Sequence, residues 1–141
     1  MAFQGNFACN TFKTGIMNGT FNFTSSTFYM ALYTNDATLN ASTTAYTATG
    51  EVVASGYTAG GLALTIAQTP TVGNSGNIAY ISFNNAVWTS ALTARGALIY
   101  QSGGGNPAVC VLDFGADKTS TTTFTVQFPA VSNTSAIIRI A

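Results

Sequence analysis

Few residues of this 141-residue chain are of types that could carry out catalysis. The absence of histidine excludes Ser-His-Asp and Cys-His nucleophilic sites and histidine-ligated zinc. Two cysteines, Cys9 and Cys110, are too few for a zinc site or a disulfide framework, and we expect both to be reduced thiols. The sequence therefore predicts no catalytic, cofactor-binding or metal-binding residues, and we interpret the chain as a protein that is not an enzyme.

The carboxylates that lie closest together in the sequence are Asp113 and Asp117, which could be imagined as a calcium loop or as a catalytic carboxylate pair. The ligand spacing of an EF-hand and its closing glutamate are both absent. We favour a turn at the end of a strand, in which Asp117 pairs with Lys118 or caps the loop. On that interpretation the two carboxylates have a structural role.

Net charge and charge content limit the classes of partner. Four basic and four acidic residues give a net charge of zero, and charged residues make up 6% of the chain, whereas ordinary soluble domains contain about 25%. Without a basic excess to neutralise phosphates or anionic lipids, we expect neither nucleic acid nor a membrane as a partner. Solubility must come from threonine, serine and asparagine, and this composition indicates a subunit of a large assembly.

Short apolar or alternating runs separated by Gly, Asn and Ser recur along the chain, which is typical of an all-β protein. The clearest signal is a hairpin of two almost continuously apolar strands, which we expect to be central in a sheet. Alternation near the end predicts that Phe124, Val126 and Phe128 face inward. Eight strands are predicted in all: residues 28–34, 51–54, 62–67, 78–83, 95–101, 108–114, 122–128 and 136–140.

About eight strands without crossover helices predict two packed antiparallel sheets, an antiparallel β-sandwich that is jelly-roll-like. Two segments do not fit the strand pattern. Residues 36–45 could hold a turn of helix, and residues 84–90, which include Trp88, are predicted to form a loop or a short helical turn. We divide the chain into an N-terminal arm or edge segment, residues 1–27, and a β-sandwich domain, residues 28–141.

The N-terminal segment supplies three candidate interface residues, Phe3, Phe7 and Phe12, which are spread among polar residues without a sustained period. One interpretation is a first edge strand that closes the chain's own sandwich. Another is an arm that lays these rings on a neighbouring protein, and the third is a disordered end. The arm interpretation predicts that deletion of residues 1–12 leaves the sandwich folded and weakens only its attachment.

Arg95 and Arg139 are the other two candidate interface residues, because arginine is enriched in protein interfaces. Both lie in or next to predicted strands of a chain that has only four basic residues. We expect each to pair with Asp113, with Glu51 or with a backbone carbonyl. Alternatively, Arg95 or Arg139 contacts a neighbouring subunit, and this alternative makes them interface candidates.

Seven short motifs are distinctive as a set: residues 32–34, 37–46, 50–52, 56–61, 93–100, 111–115 and 136–140. Together they resemble a family of small virion proteins in tailed bacteriophages, over the chain from about Phe12 to its end. The resemblance implies a structural protein of the particle, and most specifically a jelly-roll capsid cement protein, bound as dimers to the outside of the shell, as in the Bordetella phage. It implies assembly in the host cytoplasm and localisation on the outer surface of the virion capsid.

Two functions follow as hypotheses. In the first, a decoration or cement protein bridges subunits of the phage major capsid protein through many modest contacts, as a homo-dimer in preference to a trimer. In the alternative, a tail-associated or head-surface module recognises host glycans by stacking sugars on aromatic side chains. The rings considered for that stacking face are Trp88, Tyr33, Tyr46, Tyr57, Tyr80 and Tyr100.

Overall fold

The computed structural model describes residues 3–141, and within them ten strands pair antiparallel and one short helix lies near the N-terminus. The all-β antiparallel prediction is confirmed, with ten strands in the described residues where eight were predicted. The elements are β1 (Phe7–Ala8), α1 (Asn10–Asn18), β2 (Phe28–Tyr33), β3 (Leu62–Ala63), β4 (Ile66–Val72), β5 (Ala79–Phe83), β6 (Ala86–Trp88), β7 (Thr93–Gln101), β8 (Ala108–Thr119), β9 (Phe124–Val126) and β10 (Ile138–Ile140).

The larger sheet has five strands in the order β1-β8-β7-β2-β3. Its centre is the predicted hairpin of β7 and β8, in which Leu98 lies opposite Val111 and Ile99 lies opposite Cys110. Leu98, Ile99 and Val111 are fully buried. Burial on both faces explains why these two strands are almost continuously apolar in sequence.

The opposite layer is built along β5 and β6, which only Asn84 and Asn85 separate. β5 lies between β10 and β4, and β6 pairs with β9. The β10–β5 and β9–β6 pairings are both antiparallel, and β5 and β6 follow one another in the chain. β9 and β10 therefore lie along β5 and β6 as two segments of one interrupted strand, joined by residues 127–137. The C-terminal strand is thus paired into a sheet, and Phe124, Val126 and Phe128 are buried, both as predicted.

A chain of phenylalanine rings joins the N-terminal segment to both layers. Phe12 of α1 lies 5.9 Å from Phe23 between ring centroids, and Phe23 stacks on Phe28 of β2 at 4.5 Å. Phe28 in turn lies 5.9 Å from Phe83 of β5, and Phe83 lies 5.8 Å from Phe128. Residues from 12 to 128 therefore share one aromatic core.

Helix α1 was not predicted, because its residues have low intrinsic helix propensity and include Gly15. Tertiary packing stabilises it instead: a Cβ at Gly15 would overlap the Phe21 ring, so glycine permits this close approach. Gly19 ends the helix in the left-handed conformation, with φ of 81°. Phe12 and Ile16, four residues apart before that glycine, were the available signal. With nine residues, α1 is far too short to cross a bilayer. The described residues contain no helix that is long and apolar enough to do so.

Four local predictions were wrong. The turn expected to end a strand at Asp113 and Asp117 does not end it, because β8 continues through both residues to Thr119. Residues 51–54 form no strand, and only Glu51 makes an isolated bridge, to Tyr33. Residues 36–45 contain turns and no helix. Residues 84–90 contain strand β6, because Ala86 and Trp88 face the core while Val87 faces outward, which is the alternation of a half-buried strand.

Candidate interaction surface

Phe3 and Phe12, two of the five predicted interface residues, belong to the chain's own core. Phe3 has 0% of its surface exposed, and a Cβ at Gly96 of β7 would overlap its ring. Phe12 is buried against Phe21, with ring centroids 5.2 Å apart. The Phe3 ring therefore cannot contact a neighbouring protein, and Phe12 keeps only 6% of its surface exposed.

The backbone from residue 6 to residue 9 runs along β8. Phe7 lies opposite Val111, and the Cys9 N–H donates to the Val109 carbonyl at 2.9 Å. The Asn6 side chain accepts a hydrogen bond from the Asp113 N–H at 2.7 Å. The structure thus places residues 3–27 as an edge segment of the sandwich, and no separate arm leaves the described chain.

Arg95 pairs with Asp113 across β7 and β8, and Asp113 was one of the three kinds of partner predicted for it. The Arg95 Nε lies 3.0 Å from Asp113 Oδ1, and the Gly115 N–H donates to the same oxygen at 2.8 Å. That N–H and the guanidinium hold the pKa of Asp113 below its ordinary value. Asp117 is exposed on β8, and the described residues contain no ion pair between it and Lys118. Arg95 is therefore engaged within its own chain.

The lowered pKa of Asp113 predicts a pH-dependent contribution to stability. The unfolded carboxyl titrates near pH 3.9, so the stabilisation is fully present above that pH and is lost as the pH falls through the lower, folded pKa. We expect Asp113→Asn to lower the free energy of unfolding by about 1 kcal/mol at pH 7. Urea denaturation at pH 7 and pH 2.5 should show that difference shrinking in acid. Asp117→Asn is the matched control and should change little at either pH; an Asp113→Asn effect of equal size at both would contradict the assignment.

Phe7 and Arg139, the remaining two candidates, border one cleft of about 310 Å³ between β1, β8 and β10. Phe12 and Ile138 line the same cleft. Arg139 is exposed on β10, and its Nη1 makes one long hydrogen bond, 3.5 Å, to the Asn133 carbonyl. Within the described chain the only ion pair is that of Arg95, so Arg139 has no acidic partner there.

A larger cleft of about 550 Å³ lies beside the first, between the C-terminal half of β8 and β9. Phe114, Phe124 and Phe128 line it, and Ile137 borders both clefts. The two clefts follow the free edges of the two layers and form an open seam of the sandwich. No group of three potential metal ligands occurs in the part of the chain that the structure describes.

Glu51 is a buried carboxylate with 7% of its surface exposed, and its partners are tyrosines, not an arginine. Its Oε1 accepts hydrogen bonds from the Tyr57 hydroxyl at 2.7 Å and the Gly60 N–H at 2.8 Å. Its Oε2 accepts one from the Tyr46 hydroxyl at 2.7 Å. Burial raises the pKa of Tyr46 to about 12 and raises that of Tyr57 as well, so both hydroxyls remain donors at neutral pH. Sequence reasoning missed this network, for which Tyr46 and Tyr57 on either side of Glu51 were the only signal.

The aromatic side chains considered for glycan stacking are mostly internal. Trp88 is 5% exposed and packs between Tyr57 and Phe124, each 6.3 Å away between ring centroids. The Tyr33 and Tyr100 hydroxyls donate to the backbone carbonyls of Thr47 and Gly60, both at 2.6 Å. Satisfied hydroxyls allow tyrosine rings to be buried whole. Of the six rings considered, only Tyr46 and Tyr80 are half-buried, and the other four are buried.

Cys9 and Cys110 are buried free thiols. Burial raises the pKa of Cys9 to about 11 and that of Cys110 to about 12. Because the thiolate is the nucleophile and the metal ligand, neither side chain is activated for chemistry at neutral pH.

No family model, curated protein or solved structure matches this chain.

Proposed function

We propose that this protein is a non-enzymatic structural component of a tailed-phage virion: a decoration or cement protein that binds the outer surface of the capsid and bridges subunits of the major capsid protein. The resemblance of its motifs to small phage virion proteins supports this assignment. The shortage of charge on the folded surface is the observation that carries it.

Folding leaves five of the eight charged side chains exposed and unpaired, since Glu51 is buried and Arg95 and Asp113 form a half-buried ion pair. The remaining five are spread over 7115 Å², about one per 1,400 Å². Such a surface provides little electrostatic repulsion against association. It suits a subunit that is held in a repetitive assembly. The five exposed charges are Lys13, Asp36, Asp117, Lys118 and Arg139.

Attachment would use mostly neutral contacts, namely strand edges, threonine and asparagine hydrogen bonds and a few apolar side chains. A homo-dimer that touches several capsid subunits gains from effective concentration, so individually weak contacts give lasting attachment. No contact in this scheme requires a reactive group, which is consistent with the proposal that the protein is not an enzyme.

Copy number tests the proposed function. Quantitative mass spectrometry of purified virions should find on the order of hundreds of copies per particle, as expected for a protein repeated over the capsid. The major capsid protein and a tail protein of the same particles provide internal standards. A count of about 3 to 18 copies, which is typical of the symmetry of tails, or absence from the particle would overturn the assignment.

A further inference from the structure

We propose that the free edge of β10 binds an extended segment of another protein, which adds to the edge as a further strand and carries an acidic residue between two apolar ones. This inference deepens the proposed function, and it rests on that function only for placing the segment in a capsid subunit. Its structural basis lies in the edges, the clefts and the charges around β10.

The backbone of β10 has one paired edge and one free edge. It pairs with β5 through Ile138 opposite Ile81 and Ile140 opposite Ala79. No strand of the described chain pairs with its other edge, and β1, the last strand of the larger sheet, lies across the cleft of about 310 Å³. Unpaired N–H and C=O groups along an uncovered edge are a template for an added strand.

Apolar side chains line the space beside this edge. The cleft next to β1 adjoins a second cleft of about 140 Å³ next to α1, and both are lined by Phe12, Ile138 and Ile140. Ile140 remains 50% exposed and Ile16 of α1 remains 39% exposed. Two narrow adjoining clefts along a strand accommodate the alternate side chains of an extended segment.

The alternation of β10 specifies the chemistry of the added segment. Ile138 and Ile140 line both clefts, whereas Arg139 alternates with them along the strand and borders only the cleft of about 310 Å³. No acidic residue lines either cleft, and the described chain supplies Arg139 with no ion pair. A segment with apolar residues beside the two isoleucines and a carboxylate beside Arg139 complements both faces, because opposite charges on neighbouring strands attract.

A second copy of this chain fits the edge poorly. A two-fold pairing of β10 with β10 of another copy, centred on Arg139, would place Arg139 opposite Arg139. Like charges directly opposite each other on paired strands are destabilising. Charge complementarity therefore favours an acid-bearing segment of a different protein.

An appended strand tests the edge without a partner protein. The segment Thr-Val-Asp-Val-Thr, joined after Ala141 by a flexible linker, acts at high effective concentration. We expect Tm to rise by about 4 °C, and hydrogen exchange of the β10 amides to slow at least tenfold. The matched control carries lysine in place of the aspartate and should give a smaller rise. In the Arg139→Glu variant, the lysine segment should raise Tm more than the aspartate segment.

Three results would overturn the inference. The first is that neither appended segment protects the β10 amides from exchange. The second is that the aspartate and lysine segments stabilise the wild type and the Arg139→Glu variant equally. The third is that the unmodified protein dimerises in sedimentation experiments and its β10 amides are protected, which would assign the edge to a second copy.

Binding to virions that lack this protein tests the role of the edge in attachment. We expect Arg139→Glu to bind about tenfold more weakly than the wild type, because each bound oligomer attaches at several points and loses affinity at every one of them. Lys118→Glu makes the same change in charge at a residue that borders neither cleft beside β10, and it should bind normally. Equal binding of all three proteins would contradict the inference and leave the proposed function in place. Virions that bind no wild-type protein would contradict the proposed function, and the appended strand would still decide the inference.

Discussion

Deletion of residues 1–12 should abolish cooperative folding at 25 °C. The deletion removes Phe3 and Phe12, which are both buried, and also strand β1. Loss of a buried phenylalanine side chain costs about 3–5 kcal/mol, and the total stability of a typical domain is about 5–15 kcal/mol. Circular dichroism and urea denaturation of the truncated protein measure the outcome. The arm interpretation predicts the opposite, a truncated protein that folds normally.

Point variants distinguish core packing from a general effect of truncation. Phe3→Ala should lower the free energy of unfolding by about 3–5 kcal/mol. Phe7→Ala, at a half-buried ring of the same segment, should lower it by about 1–2 kcal/mol. Gly96→Ala should also destabilise, because its new methyl group would overlap the Phe3 ring. Phe3→Ala with wild-type stability would show that the N-terminal segment is not part of the core.

Replacement of Glu51 by alanine should lower the free energy of unfolding by about 3 kcal/mol or more. The change leaves the buried Tyr57 hydroxyl without its acceptor, which costs about 1–3 kcal/mol, and it also removes the hydrogen bond to the part-buried Gly60 N–H. The Tyr46 hydroxyl is less buried and can bind water instead. Because the Tyr57 hydroxyl also accepts a hydrogen bond from the Leu32 N–H at 2.9 Å, the substitution should also destabilise β2. Chemical denaturation gives the energy, and hydrogen exchange of the Leu32 amide reports the loss at β2.

Two variants control for the removal of charge and of a single hydrogen bond. Asp36→Ala removes an exposed carboxylate and should change stability by less than about 0.5 kcal/mol. Tyr46→Phe removes one of the three donors to Glu51 and should cost about 1 kcal/mol. If Glu51→Ala were as mild as Asp36→Ala, the carboxylate would not organise this part of the core.

The sequence was sufficient for features that depend on local patterns. The strands β7 and β8 were predictable because burial on both faces requires continuous apolar runs. Phe124 and Phe128 were predictable because a half-buried strand alternates. The partner of Arg95 could be narrowed to Asp113, Glu51 or a backbone carbonyl, since few partners exist in a chain with eight charged residues.

Features that depend on contacts between distant segments were not predictable. Helix α1 exists because Gly15 lets the Phe21 ring approach, which intrinsic propensity does not reveal. The phenylalanines of the N-terminal segment could have belonged to an arm or to a core, because their spacing is compatible with both. Only the folded chain shows that Phe7 and Arg139, more than 130 residues apart, border one cleft.

Three-dimensional image reconstruction of intact virions tests the central claim most directly. The account predicts density for the β-sandwich at regular positions on the outside of the capsid, with the free edge of β10 against a capsid subunit. A capsid surface without that density, in particles that contain the protein only in the tail or not at all, would contradict it.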